Sequence, residues 1–339
     1  DMAKTKVFRI QNKLASLEIS AAGGSITNFH LRKNKINPLS FAFTKEQMPE
    51  NNKQGAPYKG HFVCFPYWGP VSAGEYKMSM PNHGPFCNTM WSVKKKYLHH
   101  ILMQAKDEQS GFEMRRNISL SKDKTVIKVE EFFKNLNSLA KPYNIVQHPS
   151  LAAPFLGKDL ILDCNGDTGF NQEYFPDIMK SKSQWPNGVI GKDKTINLRK
   201  SDKPYNGVFS FSIKKKDKYG WVTAYSPSHK LLIGYVWEAV QYPWINIWKH
   251  YENDKIKYTG IEFGTTGIHQ PMVSFASSHA SVFNANTFCF MDAGDTCIKR
   301  YWCFLLSIDK NTKGIKHVDV DDKNQSITVT TKEKERYYC

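Results

Sequence analysis

The sequence predicts an all-β protein built from antiparallel sheets, because short runs of alternating apolar and polar residues recur along it with turn-forming residues between them. The alternation is plain in Lys124-Thr-Val-Ile-Lys-Val-Glu-Glu-Phe-Phe133, Val208-Phe-Ser-Phe-Ser-Ile213, Leu231-Leu-Ile-Gly-Tyr-Val-Trp237 and Gln325-Ser-Ile-Thr-Val-Thr330. A period of two places successive side chains on opposite faces, so each run can bury one face. Asn165-Gly166, Asn187-Gly188 and Asn206-Gly207 supply the dipeptides that hairpin turns use. Sustained helical spacing is scarce, so helices are expected to be short and peripheral.

In chain order, the sequence moves straight into Val7-Phe-Arg-Ile10, with no apolar signal segment visible. The segment from Asn165 to about Asn206 is rich in Gly, Pro, Lys and Asp and poor in alternation. It is expected to be a long excursion over a sheet or the rim of a cleft. The stretch from Asp309 to Cys339 is polar but still alternates, as a closing strand or two at a sheet edge would. No linker-like break and no fixed-period repeat interrupts the chain, so residues 1–339 are expected to form one domain.

Composition narrows the function classes. Hydrophobic residues make up 40% and aromatics 13% of the 339 residues, which fits a chain that forms a core. No apolar stretch reaches the roughly 18 residues of a spanning helix, so no membrane partner is expected. The formal charge of +16, from 47 Lys and Arg against 31 Asp and Glu, invites a nucleic-acid reading. The clusters Lys94-Lys95-Lys96 and Lys214-Lys215-Lys216 are short and scattered, however, and no binding motif accompanies them. A lysine-rich solvated surface is the better reading, with a field that draws small anions such as sugar phosphates and no nucleic-acid partner. Seven cysteines without a CxxC pair argue against a disulfide framework and a zinc finger. No metal is expected, and a reducing, cytoplasmic setting is the simpler inference.

The candidate chemistry lies in His83, His148 and Glu262. They stand in Pro81-Asn-His-Gly-Pro-Phe86, Gln147-His-Pro-Ser-Leu-Ala-Ala-Pro-Phe-Leu156 and Thr259-Gly-Ile-Glu-Phe-Gly-Thr-Thr266. Two imidazoles and a carboxylate can take a proton from one oxygen while giving one to another. Glu262 interrupts an apolar, glycine-rich strand, where a charge is costly unless it is partnered or faces a cleft. In Trp237-Glu-Ala-Val-Gln-Tyr-Pro-Trp-Ile-Asn-Ile-Trp248, Trp244 and Trp248 offer flat faces for the C–H face of a sugar. Glu238, His250 and His269 could add hydroxyl contacts, depending on sheet register. Otherwise His30, His99, His100, His229, His250, His279 and His317 read as satisfied core or surface residues.

These segments resemble a known family. Cys64-Phe-Pro-Tyr-Trp-Gly-Pro70, then Pro81-Asn-His-Gly84 and Trp91-Ser-Val93, look like the hexose-6-phosphate 1-epimerase branch of the aldose 1-epimerase, or galactose mutarotase-like, proteins. The Gln147–Leu156 segment is similar to their second histidine segment, and Tyr258-Thr-Gly-Ile-Glu-Phe263 to their late strand with a catalytic glutamate. The resemblance runs in order from about residue 7 to about residue 305 and implies a large antiparallel β-supersandwich, with a sugar site on the concave face of one sheet.

The implied reaction interconverts the α and β anomers of a hexose or hexose derivative, without a cofactor. A base removes the C1-hydroxyl proton, an acid protonates the ring oxygen, and the aldehyde rotates and recloses. Glu262 is expected as the base and His148 as the acid, facing each other across a hexose-sized gap. His83 would hydrogen-bond the ring oxygen or an adjacent hydroxyl.

Two departures bear on substrate. Where relatives carry an arginine before the proline/aromatic turn, this chain has Tyr58, Lys59 and His61, and shortly after His-Gly it has Cys87 and Asn88. Lys59 and His61 therefore stand as candidate substrate contacts, and a free or modified hexose is as open as a phosphorylated one. Two other classes remain: a sugar-binding module without turnover, and a lyase or hydrolase, for which Glu238 would be the second carboxylate.

Overall fold

Two large antiparallel sheets pack face to face in a computed structural model that describes residues 5–272, 280–324 and 326–339. His279 and Gln325 lie outside the described residues. In spatial order the twelve-stranded sheet begins Val7–Gln11, Ala15–Ser20, Ile26–Leu31, His61–Cys64 and Val146–Leu151. It continues Lys255–Gly264, Trp244–Glu252, Gly207–Ile213, Gly166–Asn171, Ser183–Gln184, Asn187–Gly191 and Lys194–Asn197. The eight-stranded sheet is centred on Leu231–Glu238, Thr296–Ser307, Val126–Asn135 and Phe112–Leu120. This is the expected all-β supersandwich. Helix among the described residues is limited to Ala73–Lys77 and four short 3-10 turns.

Period-two alternation puts Val63, Ile245, Ile247, Ile261 and Phe263 on the inner face of the large sheet. They meet Tyr235, Trp237, Tyr301 and Cys303 of the smaller sheet in one continuous core. Within that core lies a fully buried polar layer. Arg116 Nε donates to Glu131 Oε1 at 2.8 Å, and Gln147 Nε2 donates to Glu131 Oε2 at 2.5 Å. Gln147 Oε1 in turn meets His61 Nε2 at 3.0 Å, while the Tyr235 hydroxyl meets His61 Nδ1 at 3.2 Å. Arg116 also reaches the Gly24 carbonyl at the opening turn, where Gly23 and Gly24 take φ of 72° and 58°. The layer ties both sheets together directly beneath the strands that carry the candidate site.

Three sequence expectations change. The Asn165–Asn206 segment is no free excursion: four of its stretches extend the large sheet as strands, from Gly166–Asn171 to Lys194–Asn197. The Asn-Gly pairs mark strand starts rather than hairpin centres; Gly166, Asn187 and Gly207 each begin a strand. The end of the chain forms a separate three-stranded sheet, Ile315–Asp321, Ser326–Thr331 and Arg336–Tyr338, instead of an edge. Its apolar residues Ile315, Val318, Ile327 and Val329 cover Trp221, Leu232, Val236 and Trp302 on the outer face of the smaller sheet.

Candidate active site

The site stands on the outer face of the large sheet. Gln147 pairs with Phe263 and Ser150 with Gly260, a register that sets His148 directly across from Glu262 on one face. Opposed residues on one face of an antiparallel pair have Cβ atoms about 5 Å apart. The outcome is His148 Nε2 at 3.2 Å from Glu262 Oε1. The two side chains are therefore neighbours and not partners across a sugar-sized gap.

Each group is held by local structure. On the next strand Phe62 pairs with His148, and their rings stack at 4.3 Å between centroids. His148 Nδ1 contacts Ser150 Oγ at 2.8 Å, while that hydroxyl donates to the His148 carbonyl at 3.2 Å. Nδ1 then carries the proton and Nε2 is left with a lone pair, 3.2 Å from Glu262 Oε1. Gly260 lies two residues from Glu262 on the same face, where a Cβ would come within 2.5 Å of Oε1. Glycine keeps that space open for the carboxyl group.

His83 sits in a turn with φ 63°, a left-handed conformation uncommon outside glycine. Its backbone N–H donates to the Gly69 carbonyl at 3.1 Å, and its Nδ1 accepts from the Gly69 N–H at 3.2 Å. That pairing leaves the proton on Nε2, away from Gly69. Asn52 supports the turn by accepting from the Asn82 N–H at 2.8 Å and donating to the Asn82 carbonyl at 3.1 Å.

These residues line a cavity of about 240 Å³, with Phe41, Phe43, Pro49, Tyr58, Phe62, Trp68, Val208, Trp248 and His269 forming the rest of its wall. Its size falls just below the roughly 300 Å³ at which small-molecule sites commonly begin. His83 lies 5.6 Å from His148 and from His269, ring centre to ring centre, and His269 meets the edge of Trp68 at 4.7 Å. His269 was only a possible contact by sequence. It comes from the loop after Gly264, and only the fold brings it to the cavity.

Burial sets the protonation. Glu262 is inaccessible to solvent, and neither carboxylate oxygen receives a hydrogen bond from a described residue, the nearby His148 Nε2 lying out of line for one. Desolvation pushes its pKa well above the usual carboxylate range, opposed by the Trp68 indole N–H, which approaches without completing a hydrogen bond. Burial lowers His148 to about 3 and His269 to about 4, and it holds His83 well below the ordinary imidazole value. His83 and His269 keep part of their surface open to the cavity, although protein atoms surround both rings. Burial therefore favours the uncharged form of both groups, a protonated carboxyl on Glu262 and a neutral imidazole on His148.

Several residues singled out from sequence lie elsewhere. His61 faces the core, because it is one residue from Phe62 and its side chain takes the opposite face, bound to Gln147 and Tyr235. Lys59 pairs through its backbone with Ala42 and is absent from the cavity wall. Glu238 ends a strand of the other sheet and accepts from Gln241 at 2.7 Å. Trp244 shares the face of Trp248, but segments remote in sequence cover it, with Gly267 packed on its ring and its indole donating to the Asn286 carbonyl at 2.7 Å. Asn88 ties the backbone at Asn52 and Ala56. Of the aromatic candidates, Trp248 lines the cavity.

The fold is galactose mutarotase-like. It is shared with a galactose mutarotase related enzyme from Lactobacillus acidophilus, 17% identical with a TM-score of 0.62 over 90% of this chain and 98% of that one. A galactose mutarotase-like protein from Clostridium acetobutylicum matches at 18% identity and a TM-score of 0.62, covering 90% and 96% of the two chains. Another from Lactobacillus casei is 14% identical, with a TM-score of 0.63 and coverage of 89% and 100%. No family model and no curated protein sequence matches the chain. No described helix is long and apolar enough to cross a membrane.

Proposed function

We propose that the protein is an aldose 1-epimerase that interconverts the anomers of an uncharged sugar at the Glu262–His148 pair. The observation that carries this reading is the pair itself: a buried carboxyl group with no hydrogen-bonded partner among the described residues, 3.2 Å from an imidazole nitrogen, at a cavity wall. An unsatisfied buried carboxyl group costs stability and persists where a ligand completes it.

The proton positions give the steps. Glu262 donates its proton to the ring oxygen as the C1–O5 bond breaks, while His148 Nε2 accepts the proton of the anomeric hydroxyl. The open aldehyde turns about C1–C2 and presents its other face. Reclosure returns the O5 proton to Glu262 and the His148 proton to O1, so the pair ends as it began. His83, with its proton on Nε2, is placed to donate to a ring or hydroxyl oxygen. A positioned acid and base contribute about 10²–10⁴-fold each, enough to outpace the spontaneous reaction without a metal or redox cofactor.

No lysine or arginine among the described residues lines the cavity, which favours a sugar without phosphate. The test is exchange NMR of α- and β-glucose and α- and β-galactose, with and without the protein. Exchange well above the buffer rate supports the reading. Saturable sugar binding with exchange at the buffer rate would make the protein a sugar-binding module instead.

A further inference from the structure

We infer that the preferred substrate is a neutral 6-deoxyhexose, a sugar that carries a methyl group at C5 in place of a hydroxymethyl or phosphoryloxymethyl group. The inference rests on the epimerase reading for the placement of C1 and O5 at Glu262 and His148. The cavity has two unlike flanks on either side of that pair. On one side stand His83, His269 and the Trp68 indole N–H, which has no hydrogen-bond partner among the described residues. On the other side the wall turns aromatic: Trp248 lies 6.0 Å from His148, Phe41 lies 6.0 Å from Trp248, and Phe43 lies 4.9 Å from Phe41. Val208 and Pro49 also line the cavity and add further apolar surface.

A pyranose has the same asymmetry about C1 and O5. One edge of the ring runs through C2 and C3 and carries hydroxyls; the other runs through C5 to C6. Among the residues lining the cavity the histidine flank offers the most partners for hydroxyls, two imidazoles and the Trp68 indole N–H against the single indole N–H of Trp248, so C2 and C3 belong there and C6 faces Trp248, Phe41 and Phe43. The reverse orientation would set two hydroxyls against aromatic rings, where they lose water for fewer hydrogen bonds. With C6 on the aromatic flank, a 6-hydroxyl loses water and has, among the lining residues, at most the Trp248 indole N–H as a partner. A 6-phosphate would face no lysine or arginine among the described residues that line the cavity. A methyl group meets neither penalty and adds buried apolar surface.

The experiment compares glucose and galactose with their 6-deoxy and 6-phosphate derivatives, and with xylose, which lacks C6 altogether. Exchange NMR gives KM and kcat, and ligand-observed NMR gives affinity independently of turnover. The expected KM is about tenfold lower for the 6-deoxyhexoses than for the parent hexoses, with xylose between them and the 6-phosphates weakest. Phe43→Ser should narrow the deoxy-to-parent ratio. Equal or tighter binding of the parent hexose, or tighter binding of the 6-phosphate, overturns the inference and leaves the epimerase reading intact if exchange is fast. Exchange at the buffer rate for every sugar removes the epimerase reading, and the affinity order then decides the apolar-flank inference alone.

Discussion

Between the facing atoms Glu262 Oε1 and His148 Nε2 the uncharged pair holds a single proton, and the proposed reaction needs that proton on one side and a lone pair on the other. Glu262→Gln keeps the shape but cannot release a proton, so anomer exchange should fall about 10²-fold or more while sugar binding survives, as titration by ligand-observed NMR would show. His148→Asn should have a similar effect. The double variant should lose less than the product of the two, since the pair acts as one unit. Gly260→Ala gives a separate handle, because its Cβ would stand 2.5 Å from Glu262 Oε1 and displace the carboxyl group. It should lower kcat with the thermal midpoint little changed; full activity would show that the carboxyl position is unimportant. At this scale the sequence marked Glu262 by the cost of its charge in an apolar strand, and His83 and His148 by their Gly- and Pro-rich surroundings. It could not separate His61 from Phe62, because alternation fixes that neighbours face opposite ways and leaves open which of them faces the core.

At the scale of strands, His148 and Glu262 meet because Val146–Leu151 and Lys255–Gly264 hold one register, and the polar layer beneath helps fix it. Gln147 is the joint, with its amide shared between Glu131 of one sheet and His61 of its own. Gln147→Leu would leave a Glu131 oxygen and a His61 nitrogen without this partner, at roughly 1–3 kcal/mol for each group. Urea unfolding should show a drop of a few kcal/mol, and a loss below about 0.5 kcal/mol would mean that the layer contributes little to register. The long alternating strands were legible because each carries its own amphipathic pattern. Ser183–Gln184 and Asn187–Gly191 were not, because strands so short are defined by the neighbour they pair with. Trp244 was misplaced for a related reason: register gave it the correct face, and a loop remote in sequence closed over it.

For the whole molecule, buried imidazoles make stability depend on pH. His61 and His83 lie well below the ordinary value of 6.5, His148 near 3 and His269 near 4, so all are neutral when folded and would take up protons on unfolding below that value. Glu131 and Glu262 act in the opposite sense, since their raised values keep protons that an unfolded chain releases above about 4.5. The histidines outnumber them. Net proton uptake on unfolding therefore covers the window from about pH 6.5 down to about 4.5, and stability falls as pH falls through it. Thermal midpoints measured across that window should decline steadily; a midpoint that rose on acidification would contradict the buried neutral histidines.

The three-stranded sheet at the end of the chain bears on how the protein behaves in a crowded solution. Its strands shield Trp221, Leu232, Val236 and Trp302 on the side of the sandwich opposite the cavity. A chain cut before Ile315 would keep every residue of the candidate site and still present a sticky indole-bearing plate to its neighbours. Truncates would clump through that plate, so a loss of activity on shortening would report self-association and carry no information about catalysis.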